Sequence, residues 1–178
     1  MAKRGKSKSI QLSLCFIVLE CLLAVVALVM VFIPALGVNN SNTSYSGLNV
    51  IFGCKVANGN ADLFYFSFMN LLTYILVLAA IVLIILKFVF KKRMLFNLLI
   101  ALILVVAGIF FFLTKQFTLL NESAVNVTNF ASAVSQLLGG GSFKAMDAFY
   151  LAAGPIVSGI LVIIGGLLAC CEIVLVKD

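Results

Sequence analysis

Histidine and tryptophan are missing from this chain, and their absence removes whole classes of chemistry. Without His, neither the usual His-containing zinc sites nor the Ser-His and Cys-His nucleophile pairs can be assembled. Charge is scarce as well, at 10% of residues against about 25% in ordinary soluble domains. The five cysteines contain no CxxC pair. Cys15, Cys21, Cys170 and Cys171 fall in or beside apolar runs, and Cys54 stands alone in a polar stretch, so an even disulfide framework and quinone-linked thiol exchange are both excluded. Gly139-Gly140-Gly141 lacks the Lys-Ser/Thr continuation of a phosphate loop. These absences leave no basis for an enzyme, a cofactor or a metal site, and none is expected.

What the chain has in abundance is apolar residues, 64% of 178, where soluble domains carry roughly 45–50%. Four runs are long enough to cross a hydrocarbon layer of about 30 Å at 1.5 Å per residue. They cover about residues 16–36, 66–90, 94–113 and 151–176. The expected fold is all-α: a single integral membrane domain over 1–178, a four-helix bundle whose main partner is the lipid bilayer.

The net charge of +6 is a topology signal rather than a nucleic-acid footprint. Lys3, Arg4, Lys6 and Lys8, in the basic tail 1–9, precede the first run, and Lys91, Lys92 and Arg93 follow the second. With both termini cytoplasmic, these seven and Lys177 lie inside, whereas Lys55, Lys115 and Lys144 lie outside, as the positive-inside bias requires. The first run is too long, and carries a carboxylate, for the apolar region of a signal peptide. An uncleaved anchor in the cell membrane is therefore expected, despite the cleavage-like Ala35-Leu36-Gly37. The three-residue link 91–93 makes the second and third helices an antiparallel pair.

The outer loops, 38–62 and 115–148, differ. In the first, Leu48 to Val56 is β-prone and Asn58-Gly59 is a turn signal, pointing to a short strand or hairpin. In the second, Val127, Phe130, Val134, Leu137 and Leu138 share a helical face that ends at the Gly triplet, which predicts an extracytoplasmic amphipathic helix. Four N-x-S/T triplets at Asn39, Asn42, Asn121 and Asn126 also fall outside, but loops this rich in Asn, Ser and Thr generate them by chance.

Polar residues inside the spans stand out against this background. Glu20 lies four residues from Phe16, Lys87 four before Lys91, Asn97 four after Arg93, and Glu172 five before Lys177. All four sit about 6–8 Å from the same edge, a membrane-embedded polar layer. An isolated charge at a helix centre costs about 2.5–3.5 kcal/mol on insertion scales, which pairing reduces. Lys87 is accordingly expected between Glu20 and Glu172, with Asn97 supplying hydrogen bonds. The competing readings are independent snorkelling and a proton or substrate relay. Ser67, Asn70 and Tyr74 share a second polar face, with Thr73 at its margin. Gly154, Ser158, Gly165 and Ala169 form a small-residue face on the last run, suited to a helix of the same chain, a second copy or another membrane protein.

The segments "YSGLNVIFG" (45–53), "FSFMNLLTYIL" (66–76) and "FFFLTKQFT" (110–118) resemble small four-helix membrane proteins of low-GC Gram-positive bacteria and their wall-less relatives. That resemblance implies a bacterial cytoplasmic membrane and no assigned activity. The layout and Gly47-Leu48 before Cys54 are similar to claudins, without their tryptophans and second loop cysteine. A glutamate in the first helix is similar to small multidrug exporters, which are shorter and have minimal loops. The expected role is a non-enzymatic accessory or structural membrane component; the alternative is a small transporter or transporter subunit using the Glu20, Lys87 and Glu172 layer.

Overall fold

The computed structural model describes residues 2–39, 41–55, 62–90, 93–121 and 145–175. The described elements run, in chain order, α1 (Ala2–Val29), β1 (Pro34–Val38), β2 (Ser44–Ser46), α2 (Gly47–Phe52), β3 (Cys54–Lys55), β4 (Asp62–Tyr65), α3 (Phe68–Val89), α4 (Arg93–Phe112), α5 (Thr114–Phe117), β5 (Leu119–Leu120), β6 (Phe149–Leu151) and α6 (Ala153–Leu175). The chain is mostly helical. Four stretches, Gln11–Phe32, Phe68–Phe88, Met94–Phe112 and Ala153–Leu175, are long and apolar enough to cross a membrane. In hydrocarbon a helix satisfies every backbone N–H and C=O within its own segment, which is why such runs fold this way.

The described residues form two compact units. The first comprises residues 1–29, 73–111 and 157–178, and the second 30–72 and 112–156.

In the first unit one apolar core draws on all four long helices: Ala24 and Ala27 from α1, Val77, Ala80 and Ile84 from α3, Ile100, Leu104, Ala107 and Phe111 from α4, and Val162 and Ala169 from α6. Each helix contributes a stripe. Along its part of α3 the buried positions are 73, 77, 80, 84 and 87, with Ile75, Leu78, Val82 and Ile85 exposed on the other side, as a helix between protein and lipid requires. Small residues bring α4 and α6 together: a Cβ on Gly108 would lie 2.5 Å from Ile163 Cγ1, and one on Gly166 would lie 3.2 Å from the Ala101 carbonyl.

The second unit contains two three-stranded antiparallel sheets, ordered β2-β1-β6 and β3-β4-β5. Pro34 shortens the first apolar run as a helix: a 3₁₀ turn covers Met30–Phe32 and the chain bends at Ile33, because proline disfavours helical backbone in the residue before it. Residues 34–36, expected in the first span, instead enter β1, where Leu36 pairs with Tyr45 on one side and Leu151 on the other. Ala35 and Leu36 are buried there. Gly37 faces Tyr150 across the ladder, and any Cβ would run into the phenol ring.

The β-prone stretch 48–56 is a strand only at its end. Ser46 caps the N-terminus of α2 by accepting a hydrogen bond from the Asn49 amide at 3.4 Å. Gly53, at φ 89°, then turns the chain into β3. Cys54 pairs with Phe64, and Phe64 with Leu120. Phe64 is the centre of the unit's own core, in edge contact with Tyr45 at 5.1 Å and tilted against Phe149 at 5.4 Å. The Asn58-Gly59 turn, the 127–138 amphipathic pattern, the Gly139-Gly140-Gly141 triplet and the Lys91-Lys92 link lie outside the described residues.

Candidate functional site

The first unit buries charge. Glu20 on α1, Lys87 on α3 and Glu172 on α6 are 0%, 1% and 1% exposed, and each occupies a position on its helix's inward stripe. Lys87 Nζ donates to Glu20 Oε2 at 2.9 Å and to Glu172 Oε2 at 2.6 Å. One ammonium therefore ties three helices at a single level. Its burial and its two short bonds leave no role for snorkelling.

The fourth residue of the sequence-derived layer behaves differently. Asn97 is buried at 2% exposure on α4, but its side-chain oxygen has no hydrogen-bond partner. No hydrogen bond between Asn97 and the charged trio is found among the described residues. An amide on an inward stripe can be placed by helical periodicity, whereas the direction of its polar end depends on sub-ångström packing.

Ser13 is the participant that sequence reasoning passed over. Its hydroxyl donates to Glu172 Oε1 at 2.7 Å, fully buried. The available signal was spacing: Ser13 precedes Glu20 by seven residues, two helical turns, so both share one face of α1. It lies N-terminal to the expected start of the first span, where a serine attracts no notice.

Glu172 thus accepts a hydrogen bond on each oxygen. Glu20 accepts only on Oε2, and its Oε1 is buried without a partner. Two carboxyls against one ammonium, in surroundings of apolar side chains, form a charge-assisted network in which every bond is stronger than in water and every missing bond costs more.

The second unit holds a neutral network instead. Ser67 Oγ donates to the Phe117 carbonyl at 2.6 Å, Asn70 Nδ2 to Thr118 Oγ1 at 3.1 Å, and Thr118 Oγ1 to the Thr114 carbonyl at 2.7 Å. Ser67 and Asn70 are buried there; in the first unit, Thr73 is buried and Tyr74 is half-buried and meets Phe111 edge-on at 5.1 Å. The partners Thr114 and Thr118 come from the chain after α4, which no spacing rule connects to residue 70.

The small-residue face of α6 is occupied within the chain. In the first unit Ser158 Oγ donates to the Ala27 carbonyl at 3.1 Å; in the second, a Cβ on Gly154 would approach the Pro34 carbonyl to 2.8 Å. An open cleft of about 580 Å³ in the second unit is lined by Pro34, Ser41, Asn42, Ser44 and Tyr150 among others, with no charged side chain. All five cysteines are free. Among the described residues no three His, Cys, Asp or Glu side chains gather closely enough to ligate a metal ion.

Comparison of the chain with known protein families, with curated proteins and with solved structures finds no match.

Proposed function

We propose that the chain is a non-enzymatic accessory or structural component of a bacterial cytoplasmic membrane, crossing it four times as a helix bundle with both termini inside. The observation that carries this reading is the clamp at Lys87, which joins α1, α3 and α6 through two ion pairs with every member buried. A buried pair adds little net stability compared with apolar packing, but it penalises any arrangement that separates its members. Lys87 therefore selects one mutual setting of three helices. In such a bundle the small residues of α6 serve internal packing rather than a second copy, and the loops 38–62 and 115–148 lie on the outer side of the membrane.

Topology is tested on a background with the native cysteines replaced by serine. An impermeant thiol reagent applied to intact cells should label Asn42→Cys and leave Ser7→Cys untouched until the membrane is opened. Labelling of Ser7→Cys from outside overturns the orientation.

The second reading, a small transporter or transporter subunit, is favoured by one observation: Glu20 and Asn97 each keep a buried oxygen without a partner. Sealed vesicles containing the protein separate the two readings. A proton or substrate flux abolished by Glu20→Gln supports transport, and no flux above protein-free vesicles supports the structural role.

A further inference from the structure

We propose that the cluster is a single-proton binding site, with the proton held on the Glu20 carboxyl, so that two glutamates and one lysine together carry no net charge. Glu172 is fully provided for as an anion, since Oε1 accepts from Ser13 at 2.7 Å and Oε2 from Lys87 at 2.6 Å. Glu20 accepts from Lys87 on Oε2 at the longer distance of 2.9 Å, and Oε1 is buried with nothing to accept from. The anion belongs where donors converge, and the neutral acid belongs where they do not.

Charge balance leads to the same assignment. Were both carboxyls ionised, the cluster would hold one uncompensated negative charge among apolar side chains at membrane depth, and removing such a charge from water costs several kcal/mol after relaxation. Among the described residues, the groups that face Glu20 supply no second cation. Lys87 comes from α3 and Glu172 from α6, α4 brings the neutral Asn97 and no charged residue after Arg93, and the only other ionisable residues of α1 beyond its basic start are Cys15 and Cys21. One proton given up by a hydronium ion, whose O–H bond breaks to leave water, forms an O–H bond on Glu20 Oε1 and closes the balance with no change of oxidation state. A neutral acid with an idle oxygen is also a far smaller desolvation penalty than an anion with one.

The inference rests on the membrane reading above, which thiol labelling tests separately. It goes beyond that reading because it specifies a ligand and the atom that binds it.

Infrared difference spectroscopy of the full chain in lipid nanodiscs at neutral pH provides the test, comparing wild type with Glu20→Gln. The carbonyl stretch of one protonated carboxyl should be present in wild type and lost in the variant. Glutamine mimics the neutral acid, so Glu20→Gln should also unfold at nearly the wild-type temperature, while Glu172→Gln unfolds earlier. Lys87→Met, where it folds, should show a second protonated carboxyl, because no cation remains to hold either anion. A wild-type spectrum indistinguishable from Glu20→Gln in the carboxyl region overturns the proposal. So does a Glu20→Gln protein that fails to fold while Glu20→Asp folds, because the site would then need the charge.

Discussion

The two units meet the same problem, polar groups that must be kept from water, with opposite means. In the first, one lysine is ion-paired to two glutamates inside a core of Ala, Val, Ile, Leu and Phe. In the second, hydroxyls and an amide pass hydrogen bonds to backbone carbonyls, and strands rather than long helices satisfy the main chain. A charged cluster is intolerant of partial loss, since removing one member strands the others. A neutral relay loses one bond at a time. The first unit therefore penalises any partial separation of its charged members, whereas the second gives up stability one hydrogen bond at a time.

The sharpest way to break this comparison is at Lys87. Lys87→Met leaves two carboxyls without their cation and should cost about 3–5 kcal/mol, seen as a large fall in the thermal midpoint in mild detergent. Replacing Glu20, Lys87 and Glu172 together by Met should recover most or all of that loss, because well-packed apolar residues substitute for a buried ion cluster at little or no cost. A triple variant as unstable as the single one would show that the charges are not the issue. Thr118→Val removes the hydroxyl that links Asn70 to the Thr114 carbonyl, and should lower stability by only about 1 kcal/mol. A loss as large as that of Lys87→Met would erase the distinction between the units.

The smallest expected effect is an alkaline one confined to the second unit. Burial pushes the Tyr45 hydroxyl above its ordinary value of 10.0, with the neighbouring Cys54 adding to the effect, and burial pushes the Cys54 thiol above 9.0. Both are acids that keep their protons longer in the folded state. Their contribution is therefore intact below the ordinary values and declines as pH rises past about 9 and then 10. Alkylation of Cys54 should be slow at neutral pH relative to a free thiol and accelerate only above pH 9. Fast modification at neutral pH would show that the β3-β4 edge opens readily.

Much of this architecture was legible before the structure. The four spans agree with the apolar runs to within a few residues except after Ile33, where Pro34 diverts the chain into β1. Glu20, Lys87 and Glu172 were placed at one depth by counting from the inner edge of each span, because rise per residue is a local constant of the helix. The α2 helix was hidden under a β-prone composition: Val50 and Ile51 are buried in a helix because Ser46 and Gly53 set its ends, and caps can outweigh propensity in so short a segment. Strand β6 had no signal of its own and only its last residue, Leu151, fell in the fourth apolar run, since its partner β1 lies more than a hundred residues away.

Hydrophobicity and periodicity are properties of neighbouring residues, so the sequence by itself determined that the chain carries four membrane-length helices and which face of each turns inward. The tertiary structure alone decided that Ser13 completes Glu172, that Glu20 and Asn97 each keep an unpartnered oxygen, and that Phe64 joins Tyr45 and Phe149 in a second core. Those outcomes depend on which distant segments meet and at what angle, and no local pattern in the chain encodes a hydrogen bond between residues 159 positions apart.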